Sequence, residues 1–122
     1  MKIKNIEVDF DFLDADNVEK LEIAYKKLIE ETEEYKGKEV SMSEEIRIEC
    51  RIINEFLDEV FGEGLSEKLF NKKNNLKEHV DVFQEILNEK MRYTKDIKSM
   101  YQRYQPNREM RRSYGKTKHF AR

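Results

Sequence analysis

Residues 75–105 read NLKEHVDVFQEILNEKMRYTKDIKSMYQRYQ, and this stretch decides the fold. It carries a helix start, a helix stop and a long apolar seam. Asn75 offers a side-chain oxygen to the first free amides, and Glu78, three residues on, completes a capping box. Pro106 lacks the amide that would continue the ladder and biases Gln105 away from helical geometry. Between them Leu76, Val80, Phe83, Leu87, Lys90, Thr94, Ile97, Tyr101 and Tyr104 recur in alternating steps of four and three. Only Lys90 and Thr94 interrupt that heptad-like seam with polar groups. Glu78, Asp81, Glu85 and Glu89 occupy its first half, and Lys90, Arg92, Lys95, Lys98 and Arg103 dominate its second, the order that the helix dipole favours. At 1.5 Å per residue the helix spans roughly 45 Å, whereas a globule of this chain length has a radius of gyration of about 14 Å. The mismatch predicts that the far end of the helix projects or packs on something outside the core, which points to an interaction protein.

The remainder of the composition agrees with a small helical domain. With 122 residues, 38% hydrophobic and 41% charged, the chain has material for one modest core and long solvated faces. No apolar run approaches the ~20 residues of a membrane span. The opening Met-Lys-Ile-Lys has no apolar signal region, and the single cysteine, Cys50, fits a reducing cytosol. Charge is uneven. Residues 106–122 hold six Lys/Arg and one Glu, a net of +5; with the whole chain at −2, the first 105 residues stand at −7. The expected organisation is therefore a helical domain over 1–105 and a basic, flexible tail over 106–122, without sustained apolar periodicity and partly or completely disordered when unbound.

Outward from the long helix, the N-terminus alternates. Ile6, Val8, Phe10 and Phe12 share one face, with Glu7, Asp9 and Asp11 between them, which reads as a strand. Lys4-Asn5 offers a hairpin turn, because Asn tolerates left-handed geometry. A first helix starts near Asp14 to Asp16, with Asp16 and Glu19 as a capping box. Val18, Leu21, Tyr25, Leu28 and Ile29 form its buried face, and Ile23 falls outside it. Glu30, Glu31, Glu33 and Glu34 crowd its C-terminal end, where the dipole disfavours acid; they read as a solvated end or as a patch for a basic partner, the chain's own tail included. Gly37 stops the helix. Ser41 or Ser43 caps a second helix, and Ile46, Cys50, Ile53, Phe56, Leu57, Val60 and Phe61 mark its apolar face. Gly62 and Gly64 end it. Leu65, Leu69 and Phe70 suggest a short helix, and residues 71–75 a loop. The fold class is mainly α (α+β): a small N-terminal hairpin packed on a three- to four-helix bundle, with a long C-terminal helix and a basic tail.

Chemistry-bearing residues are sparse. Cys50 lies on an apolar helix face with no base beside it in sequence, so it reads as core. His79 lies beside the seam and His119 in the tail, neither at metal-ligand spacing from another ligand. Gly62-Glu-Gly64 matches no phosphate-binding fingerprint. The expectation is a protein that is not an enzyme and carries no cofactor or metal. Two segments suggest partners instead. Met91, Tyr93, Ile97, Met100, Tyr101 and Tyr104 supply adaptable and amphipathic contact area on the long helix. Arg108, Arg111, Arg112, Lys116, Lys118 and Arg122 with two aromatics form a basic tail suited to a protein or to phosphates, although the acidic body opposes nucleic acid. The same seam could also pair with a second copy as a coiled coil.

Three stretches together carry a family likeness: Phe10-Asp-Phe-Leu-Asp-Ala-Asp16 after the alternating strand, Phe56-Leu-Asp-Glu-Val-Phe-Gly-Glu-Gly64 at the end of the second helix, and Pro106-Asn-Arg-Glu-Met-Arg-Arg112 after the long one. In this order and at this length the chain resembles the small tail assembly chaperones of long-tailed bacteriophages and prophages of Gram-positive bacteria. Their familiar ending is Asn-Arg-Ala-Gln-Arg-Arg; here Glu109-Met110 replaces the middle pair. The resemblance implies a non-enzymatic protein of the bacterial cytoplasm. Such chaperones coat the tape measure protein until tail tube subunits displace them, and they are absent from the finished particle. The physical reading of the helix is compatible and places client contact at Met91, Tyr93, Ile97, Met100, Tyr101 and Tyr104, with Arg108, Arg111 and Arg112 adding electrostatic attraction. The alternatives are a nucleic-acid-binding or packaging adaptor acting through the tail, and a self-associating helical structural protein.

Overall fold

Six elements follow one another along the chain: β1 (Lys2–Ile3), β2 (Ile6–Glu7), α1 (Ala15–Tyr35), α2 (Met42–Phe61), α3 (Leu65–Phe70) and α4 (Leu76–Tyr104). The structure, a computed structural model, describes residues 1–104. The expectations for Pro106 and for the tail over 106–122 lie outside the described residues. The protein is mainly helical, with a small N-terminal antiparallel hairpin packed on a helix bundle and a long C-terminal helix. Its backbone divides into two compact units, residues 1–90 and residues 91 onward.

The hairpin pairs Lys2 with Glu7 and Ile3 with Ile6. Its turn is Lys4-Asn5, both left-handed (φ 49° and 69°), the geometry a two-residue hairpin loop requires. Asn5 accepts that conformation readily; Lys4 does so at a cost. The Lys4 ammonium lies 3.4 Å from the Leu69 carbonyl, 3.8 Å from Glu78 Oε1 and 5.3 Å from the centre of the Phe70 ring. A strained turn residue thus ties the hairpin to α3 and α4. The ladder is shorter than the alternation suggests: beyond Lys2–Glu7 only Met1 and Val8 exchange hydrogen bonds, at 2.8 and 3.1 Å. The alternation nevertheless sets burial: Val8, Phe10 and Phe12 are buried, together with Ile3 opposite Ile6.

The N-cap of α1 is Asp14, whose carboxylate accepts the Asn17 amide at 3.1 Å; the Asp16–Glu19 box is not the cap. Asp11 explains the choice. Its carboxylate accepts the Leu13 amide and its carbonyl accepts the Asn17 side chain, which turns the chain so that Asp14 arrives at the capping position. Leu21, Ala24 and Leu28 are buried on α1, whereas Tyr25 and Ile29 remain exposed at the edge of that face, and Ile23 is exposed as expected. Helix α2 is capped by Ser41. Cys50, Ile52, Ile53, Phe56, Leu57 and Val60 are its buried residues.

The turn after α2 uses Gly62 and Gly64 at φ 115° and 93°, values that L-side chains avoid. Asp58 then spans the turn: its two carboxylate oxygens accept the Ser66 amide at 2.9 Å and the Ser66 hydroxyl at 3.0 Å, which anchors the first turn of α3. Aromatic rings fill the core in two groups. Phe10 meets Phe12 and Phe61 edge-on, and Phe83 of α4 meets Phe56 edge-on while stacking on Tyr25.

Asn75 caps α4 as expected, its side chain accepting the Glu78 amide at 3.0 Å. The buried line of α4 is different from the one drawn through Leu76 and Val80. Its fully enclosed residues are His79, Val82 and Ile86, and Val80 is 45% exposed. Successive residues are about 100° apart around a helix, so the buried line is rotated to one side of the seam. Phe83 and Leu87 lie half-buried between the two. The cause is His79. A polar residue by type, it behaves here as core because its ring stacks on Phe70 at 3.6 Å between centroids.

Candidate partner-binding face

Among the described residues no group of three or more His, Cys, Asp or Glu is placed to hold a metal ion, and no helix is long and apolar enough to cross a membrane. Cys50 is buried in α2, and burial, with Glu49 beside it, pushes its thiol pKa up, away from a nucleophilic thiolate. His79 Nδ1 lies 2.7 Å from the Asn75 carbonyl and donates to it, while Nε2 is buried with no hydrogen-bond partner. Burial holds its pKa below the ordinary value, against the opposing influence of the Asn75 carbonyl and Glu78. An imidazole so enclosed has no access to a substrate.

One cavity, of about 280 Å³, lies where α1 gives way to α2, lined by Tyr35, Lys36, Lys38, Val40, Glu45 and Glu49 among others. Burial, then Glu45, raises the Glu49 pKa. Its lining mixes lysines and carboxylates without a nucleophile beside a base. The acidic end of α1 is partly matched within the chain: Glu31 faces Arg51 at 3.8 Å, and Glu33 faces Lys36 at the same distance. Arg51 also donates to the Tyr35 hydroxyl, and Lys27 joins α1 to α2 through Glu59 at 2.7 Å.

Large apolar side chains meet solvent along the second half of α4, as Ile23 and Met42 do elsewhere. Ile97 and Tyr101 are each 50% exposed and Tyr104 is 73% exposed. Tyr101 and Tyr104 meet edge-on with centroids 5.2 Å apart, forming a continuous aromatic ledge. Helical spacing places Tyr93, Ile97, Met100, Tyr101 and Tyr104 within one sector of the helix. Met91, also exposed, lies roughly 120° around the helix from Ile97 and stands apart. The Arg92 guanidinium sits 4.8 Å from the centre of the Tyr93 ring. Arg108, Arg111 and Arg112 lie outside the described residues.

Comparison with known proteins gives a family and no activity. A family of unknown function, DUF6673, matches residues 4–115. The chain belongs to this family. No curated protein and no solved structure matches it. The match runs from the hairpin turn through β2 and all four helices.

Proposed function

We propose that this DUF6673 protein is a non-enzymatic chaperone of phage tail assembly. In this reading it binds and solubilises the tape measure protein in the host cytoplasm and leaves before the particle is complete. The observation that carries the reading is the exposed ledge of Ile97, Tyr101 and Tyr104 on α4. A long helical client presents apolar stripes, and a second helix face of aromatic and methionine side chains is a suitable receptor for them. Modest contact area per copy suits reversible coating, with many copies along one client supplying avidity. The motif order that resembles known tail chaperones supports the same reading, and Arg108, Arg111 and Arg112 would add attraction to an acidic client.

The test is co-purification with the tape measure protein encoded near this chain. Wild type retains the client. Tyr101→Glu combined with Tyr104→Glu loses it while keeping the helical content of the parent. Undiminished retention by the folded double variant would remove the α4 ledge from the mechanism.

A further inference from the structure

Among the described residues, the apolar width of α4 exceeds what the chain covers. Its buried line, His79, Val82 and Ile86, accounts for one side. The adjacent line does not close: Val80 is 45% exposed, and Tyr25 and Ile29 on the neighbouring face of α1 are 37% and 43% exposed, although Tyr25 stacks on Phe83. This open line keeps a strict four–three alternation, with a mean period of 3.5 rather than 3.6, the signature of a helix built to wind around another.

Charge selects the partner and its direction. Within Leu76–Glu89 the helix has four acids, Glu78, Asp81, Glu85 and Glu89, against Lys77, a net of −3. Within Lys90–Tyr104 it has five bases, Lys90, Arg92, Lys95, Lys98 and Arg103, against Asp96, a net of +4. A second α4 running antiparallel sets each acidic half against a basic half; a parallel one sets like against like. Spacing agrees. Because the four–three pattern reads almost the same in both directions from Lys90, an antiparallel copy brings Tyr101 opposite Val80 and Ile97 opposite Phe83.

We propose that two copies of this chain pair through α4 as an antiparallel two-fold dimer centred near Lys90. The Met91–Tyr104 half of each copy lies along the Val80–Phe83 seam of the other. The arrangement is isologous and closes on itself. It gives the exposed tyrosines an apolar seat, and the two Lys90 side chains meet at the axis with a Glu89 beside each.

Sedimentation equilibrium of the full chain, with no client present, tests this independently of the chaperone reading. The chain is expected to dimerise reversibly, with dissociation increasing as salt screens the opposed halves. Ile97→Glu or Val80→Glu is expected to weaken the dimer at least tenfold; both sites are exposed, and circular dichroism verifies the fold. Direction is read from disulfides. Val80→Cys and Tyr101→Cys, prepared separately, cross-link when mixed and oxidised, whereas neither forms a covalent dimer alone. A chain that stays monomeric at every accessible concentration overturns the proposal, even if it captures a foreign helical peptide. Efficient cross-linking of Val80→Cys with itself overturns it equally, because it reports a parallel pair.

Discussion

His79 shows how one side chain can settle the rotation of a helix. Its ring is flat against Phe70, its Nδ1 proton is on the Asn75 carbonyl, and Nε2 has no partner in the interior. Residue type alone would place a histidine at the solvent margin, and so the sequence pattern runs the seam through Val80 instead. Nothing in the sequence marks Phe70 as the stacking partner, nine residues away across a loop. The charged groups acting on the imidazole are Glu78 of its own helix and Lys4 from the hairpin turn; they oppose each other, and burial dominates. The neutral form is therefore the folded form. The unfolded chain takes up the proton near the ordinary histidine pKa, about 6.5, so this contribution is intact above that pH and is lost as pH falls below it. Urea titrations from pH 7.5 to 5.5 should show stability falling by up to about 1.4 kcal/mol per pH unit below the midpoint. His79→Phe should flatten that dependence, whatever its effect at pH 7.5. The cap at Asn75 was legible because its chemistry is local, and Asn75→Ala should cost about 1 kcal/mol in the same titration.

At the scale of elements, local signals sufficed wherever one residue fixes a backbone conformation. Lys4-Asn5 gave the hairpin, Ser41 the start of α2, and Gly62 with Gly64 the break before α3. Competition between similar residues defeated the pattern at α1, where Asp11, Asp14 and Asp16 are all capping residues by type and only the turn made by Asp11 decides among them. Ala24 and Ile52 went unread for a different reason: both are enclosed by neighbouring helices, which a single helix pattern does not contain. The element most dependent on one side chain is α3. It has six residues and takes its first-turn anchor from Asp58 across the glycine turn. Asp58→Ala should raise hydrogen exchange at the amides of residues 65–70 before those of α1 or α2 respond. Gly64→Ala leaves open space around the new methyl group, yet the backbone at φ 93° should cost about 1–2 kcal/mol.

At the scale of the whole molecule, apolar side chains fall into two populations with different work. Phe56, Leu57, Ile52 and their neighbours hold the bundle; Ile97, Tyr101 and Tyr104 hold nothing that burial reveals. Phe56→Ala should therefore destabilise by about 3–5 kcal/mol, whereas Tyr101→Ala and Tyr104→Ala should each change chemical stability of the monomer by less than about 0.5 kcal/mol. Denaturation at low protein concentration separates the two groups directly. The sequence displayed both populations in one periodic stripe, because periodicity records which residues are apolar and not which surface they meet. The same second half of α4 serves both proposals, client and second copy. If both hold, the dimer is a storage form whose face the client must compete for, and client affinity falls as chaperone concentration rises.

The lone thiol adds a practical consequence. Cys50 has no accessible surface and sits midway along the helix that contributes more of the core than any other element, so a reagent such as a nitrobenzoate disulfide reaches it only after the bundle opens. Its colour development in native buffer would then time that opening, molecule by molecule, with no dye attached and no denaturant present.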